Sequence, residues 1–114
     1  MKKEDLISDG LLYINSQVRK MISGEIETYE GGRSIWLKAL SLGSQSEIMG
    51  GLWFLWGGLT NWAEDDPEGP LEAEKAMLRA AKEWLELEDT KDQQDAYFER
   101  WFYDEIGYNR KSSG

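Results

Sequence analysis

The chain has 114 residues, a formal net charge of −9 and a 40% hydrophobic fraction that includes six Trp, five Tyr and three Phe, which suits one folded domain and argues against a disordered chain. It has no Cys and no His, which removes thiolate and imidazole zinc sites, catalytic thiols and imidazole proton shuttles. Residues 64–105 carry a net −10 and the remainder +1, which disfavours nucleic acid and anionic membrane as partners and favours a basic protein surface.

Met1 runs directly into Lys2, Lys3, Glu4 and Asp5, without the apolar run of a signal peptide. A cytoplasmic location is therefore expected. Residues 4–23 read as a first helix, because Ile7, Leu11, Ile14, Val18 and Ile22 recur at spacings of three and four and make one apolar stripe. Gly10 interrupts it at a cost of about 1 kcal/mol against Ala. Residues 24–32 stay open between helix, turn and strand. Gly31 and Gly32 read as punctuation, followed by a short helix over 34–42 with Ile35, Trp36, Ala39 and Leu40 on one side. Gly43 suits a left-handed C-terminal cap, and Ser44 with Glu47 matches a capping box that starts the next helix.

That helix, residues 45–64, is the centre of the expected core. Ile48, Leu52, Leu55, Leu59 and Trp62 form one stripe, and Met49, Trp53, Trp56 and Ala63 the adjacent one. A helix apolar nearly all round is expected to be buried nearly all round. Phe54 points away from both stripes. The paired glycines Gly50–Gly51 and Gly57–Gly58 recur seven residues apart, which suggests close approach of neighbouring groups. The apolar run Ile48–Leu59 holds twelve residues, short of the ~20 needed to span a bilayer.

An acidic turn, residues 64–68, follows. It offers carboxylates, among them Asp65 and Asp66, but lacks the alternating ligands and central glycine of a calcium loop, so no metal is expected. Pro70 opens a helix whose core stripe is Ala73, Met77, Ala80, Trp84 and Leu87. Thr90 and Gln93 match a second capping box, and Tyr97, Phe98, Trp101, Phe102 and Ile106 supply the apolar face of the last helix. Gly107 stops it. The expected architecture is all-α: one bundle of about five helices over 1–107 with a buried Trp/Gly-rich central helix, and a flexible tail over 108–114.

No constellation has the pattern of an active site. No carboxylate pair is singled out for acid–base work, and the glycines do not form a phosphate-cradling loop. Neither catalysis nor a cofactor is expected. The surface that stands out is the last helix, where Asp92, Asp95 and Glu99 share one face at spacings of three and four. Like charges so placed repel, and Tyr97, Trp101 and Tyr103 lie among them as candidate anchors. Together with Asp65 and Asp66 they form the expected partner-binding set. The function expected is a non-catalytic binding module, in its most concrete form an acidic inhibitor or immunity-type protein that neutralises a basic partner such as a toxic nuclease. The alternative is a self-associating structural or assembly protein, a homodimer formed through the Trp/Gly-rich helix or Phe54.

Overall fold

The computed structural model describes residues 3–65, 71–87 and 91–106. The chain forms helices α1 (Lys3–Ser23), α2 (Thr28–Leu42), α3 (Glu47–Asp65), α4 (Leu71–Glu86) and α5 (Lys91–Arg100). A 3₁₀ turn, Gly43–Gln45, precedes α3, and α5 widens into a π-helical stretch, Trp101–Ile106. There is no strand among the described residues. The all-α bundle expected from periodicity is what the chain adopts. The Pro70 start, the Thr90 capping box, the Gly107 stop and the tail over 108–114 lie outside the described residues.

Helix α3 is the hub and packs against α2, α4, α5 and the π-helical stretch, while α1 covers α2 and α4. Leu52, Leu55, Trp56 and Leu59 are fully buried. The helix is not buried all round, however. Phe54 is 54% exposed, Asn61 is exposed, and Trp53 and the four glycines are only half-buried. Its outward face is left uncovered by the other helices.

The local corrections have two causes, packing between elements distant in sequence and the geometry of the turns that join the helices. Gly31 and Gly32 do not break the chain but lie buried in the second turn of α2. A Cβ on Gly32 would stand 3.1 Å from the Met77 side chain and 3.5 Å from the Trp56 ring, so the glycine pair lets α2 approach the core closely. The chain reversal sits earlier, at Gly24, whose φ of +84° suits glycine. There the Glu25 N–H donates to the Lys20 carbonyl at 2.9 Å and the Gly24 N–H to the Met21 carbonyl at 3.2 Å, the paired bonds of a Schellman cap. Gly43 is right-handed, with φ −63°, and leads into the 3₁₀ turn. That turn moves the start of α3 along by two residues. Ser46, extended at φ −161°, therefore caps the helix in place of Ser44, its hydroxyl accepting the Met49 N–H at 3.1 Å. In α1 the buried line is Ile14, Val18 and Met21, with Gly10, while Ile7, Leu11 and Ile22 are only partly buried. In α2, Leu42 is buried and Leu40 is 41% exposed.

One core atom is left without a partner among the described residues, the indole nitrogen of Trp56. A buried unsatisfied donor costs about 1–3 kcal/mol. Trp56→Phe removes that donor along with some packing volume, so its net cost is expected to stay within about 1.5 kcal/mol. The urea midpoint of the variant checks this. A loss as large as that of a Trp→Ala change would show that the indole N–H is satisfied after all.

Candidate protein-docking face

The end of the bundle built by α4, α5 and the π-helical stretch is organised around Trp101. Its ring is fully buried. The Arg79 guanidinium lies 4.8 Å and the Arg100 guanidinium 5.6 Å from the ring centroid. The indole N–H donates to Glu83 at 2.9 Å, and Arg100 also pairs with Glu83. Glu105 receives Arg79 at 2.9 Å and Arg100 at 3.1 Å. The hydrogen bond from Arg79, with the charge of both guanidiniums, holds the Glu105 carboxyl below the usual carboxylate range. Tyr97 is 3% exposed and its hydroxyl donates to the Ala80 carbonyl at 2.8 Å. Burial pushes that phenol well above its ordinary value.

Two of the expected anchors are thereby corrected. Tyr97 and Trp101 face the core, because Phe98 and Trp84 close over one and two arginines of different helices over the other. A sequence reading sees apolar residues at spacings of three and four but not the Arg79 cation that arrives from α4. The arginines matter in a second way. Both are drawn into ion pairs with Glu83 and Glu105, so they do little to offset the carboxylates on the outer face of α5.

On that outer face Asp92, Asp95 and Glu99 are all exposed, as is Asp104, and Tyr103 is 37% exposed. Asp95 borders a shallow hollow with Ser46, Glu47 and Phe98, near the N-terminus of α3. Asp65 is exposed at the opposite end of α3, about 27 Å away at 1.5 Å per residue. It does not join the row, and Asp66 lies outside the described residues.

Beside the acidic row runs a band of aromatic rings that crosses α3. Trp53 and Phe54 stack at 5.1 Å, Phe54 meets Phe102 edge-on at 6.4 Å, and Phe102 stacks on Phe98 at 5.9 Å. Across the α2–α3 seam, Trp36 lies against Gly57 and Trp53 against Gly43. Leu40, 41% exposed, falls between those two contacts in α2. Phe54 is the member of this band that the sequence pattern singles out. Phe102 and Leu40 carry no such signal, since both fit an inward stripe.

The chain matches no family model, no curated protein and no solved structure.

Other sites offer less. Among the described residues no three carboxylates converge so as to hold a metal ion, and no helix is long and apolar enough to cross a membrane. The cleft between α1 and α4 is lined by Leu11, Asn15, Arg19, Ile48, Trp84 and Leu85. Its Asn15 side chain already accepts the Trp84 N–H at 2.8 Å, and Arg19 is exposed at the surface. That lining provides neither a nucleophile nor an acid–base pair.

Proposed function

We propose that this chain is a non-catalytic binding module that captures a basic protein through the α5 face, in the manner of an acidic inhibitor or immunity-type protein that neutralises a nuclease-like partner. The observation that carries the reading is the asymmetry of charge at this end of the bundle. Asp92, Asp95 and Glu99 face outward, while Arg79 and Arg100 turn toward Glu83, Glu105 and the Trp101 ring. A surface so arranged accelerates encounter with a cationic partner and discriminates against anionic ones. Of the three expected aromatic anchors, Tyr103 alone is exposed and serves as the aromatic contact. Self-association through Phe54 is the second reading. It is favoured by the exposure of that ring and opposed by the net charge of −9 that each copy would bring.

The test is affinity capture from the native host with identification of the retained protein. A basic protein is expected to bind at ~0.1 M salt and to elute by ~1 M, as the screening length falls from about 10 Å to about 3 Å. The Asp92→Asn, Asp95→Asn, Glu99→Gln triple variant is expected to retain at least tenfold less of it, a loss of about 1.4 kcal/mol. Retention that ignores both salt and the triple substitution would sink the proposal.

A further inference from the structure

We infer that the partner docks by an amphipathic helix laid across the aromatic band, its apolar side on Phe54 and its basic flank toward α5. This rests on the reading of the chain as a binder of a basic protein and specifies what is bound and where.

Phe54 at 54%, Leu40 at 41% and Tyr103 at 37% are large apolar groups open to solvent, on three different elements. Trp53 stacks on Phe54 and Phe102 meets it edge-on, both partly buried and packed on the core. Apolar surface gathered in this way marks an interaction site more often than scattered exposed side chains do. The rings are also held in place before any partner arrives. Phe102 is stacked on buried Phe98, and Trp53 rests over Gly43, where a Cβ would come within 2.9 Å of the ring. Rigid aromatics lose little freedom on binding, which is the property of residues that dominate interfaces.

Charge selects the occupant. Along α5 and into the π-helical stretch, Asp95 and Glu99 alternate with Phe98 and Phe102 at helical spacing, so the carboxylates border the band. A second copy of the chain would bring a net charge of −9 to a surface already acidic. A segment with lysine or arginine along one flank of an apolar stripe satisfies both features. The described residues contain no strand and hence no sheet edge to extend, and a helix with an apolar stripe and a basic flank matches an aromatic band bordered by carboxylates.

The experiment uses the full chain, isotope-labelled, and three synthetic 14-residue peptides. The first is an amphipathic leucine–lysine helix, the second the same composition scrambled so that no apolar face forms, and the third the amphipathic pattern with glutamate for lysine. The amphipathic basic peptide is expected to shift amide signals of Leu40, Phe54 and Tyr103 first. It should bind at least tenfold more tightly than the scrambled peptide, and Phe54→Ser should erase that difference while leaving the far-ultraviolet circular dichroism unchanged. Equal binding of the basic peptides, with signals shifting all over the acidic surface, would overturn the docking mode and leave the charge-based reading standing. Binding by none of the basic peptides would overturn both. A dimer in sedimentation that Phe54→Ser dissociates would assign the band to a second copy instead and likewise overturn the inference.

Discussion

Replacing Trp101 with alanine is expected to cost about 3–5 kcal/mol of stability, the range for emptying a fully buried aromatic site. A domain of this size has only about 5–15 kcal/mol to lose, so the variant should be largely unfolded in mild denaturant. The reason goes beyond volume. The indole is the surface on which Arg79 and Arg100 converge, at 4.8 and 5.6 Å from its centroid, and its N–H supplies one of the bonds to Glu83. Without the ring, two guanidiniums and two carboxylates border a cavity. Trp101→Phe separates these contributions. It keeps a face for the cations and loses the hydrogen bond to a charged acceptor, worth about 1.5–3 kcal/mol, so it should fall between wild type and Trp101→Ala. Urea denaturation followed by circular dichroism checks both. A Trp101→Ala protein that stays within 1 kcal/mol of wild type while losing its partner would mean that the residue is a surface anchor after all.

The contrast between Trp101 and Phe54 shows where sequence reading reaches its limit. Both are aromatic residues on helices. Periodicity alone places Phe54 correctly, because it departs from two well-populated apolar stripes and has nothing on its side but glycines and Asn61. The helical class, the core role of α3 and most of the α4 stripe were legible for the same reason, as the apolar spacing is local information. The orientation of Trp101 depends on Arg79 and Glu83, residues 22 and 18 positions earlier that local spacing does not connect to it. The Gly31–Gly32 pair is a similar case. Local propensity makes it a break, but Met21 occupies the space left at Gly31, and Met77 and Trp56 the space left at Gly32. Capping residues failed more narrowly: Ser44 and Ser46 are both suited to the role, and the 3₁₀ turn between α2 and α3 decides for Ser46. The acidic row was readable as a row, though the pairing of Arg79 and Arg100 with Glu83 and Glu105 was not.

Two adjacent glycines of α3 are expected to respond to alanine in opposite directions. At Gly50 the nearest obstacle to a Cβ is the Gly43 carbonyl oxygen at 3.5 Å, an ordinary contact. Gly50→Ala should therefore realise the helix-propensity gain, raising stability by about 0.5–1 kcal/mol. At Gly51 a Cβ would stand 2.5, 2.7 and 2.9 Å from three carbons of the Phe98 ring. That ring cannot simply swing aside, since Trp84, Tyr97 and Phe102 pack on it at 6.0, 5.4 and 5.9 Å. Overpacking of this kind costs about 1–3 kcal/mol, and the propensity gain offsets only part of it, so Gly51→Ala should lose about 1–2 kcal/mol net. Thermal unfolding of the two single variants is the measurement, with midpoints moving apart by several degrees. The displacement also reaches the docking face. Phe98 carries Phe102, and Phe102 carries the edge of Phe54, so Gly51→Ala should weaken the amphipathic peptide while Gly50→Ala leaves it unchanged. If both alanines stabilise, the Phe98 ring does not occupy the Gly51 notch, and the rigid support assigned to the aromatic band is lost with it.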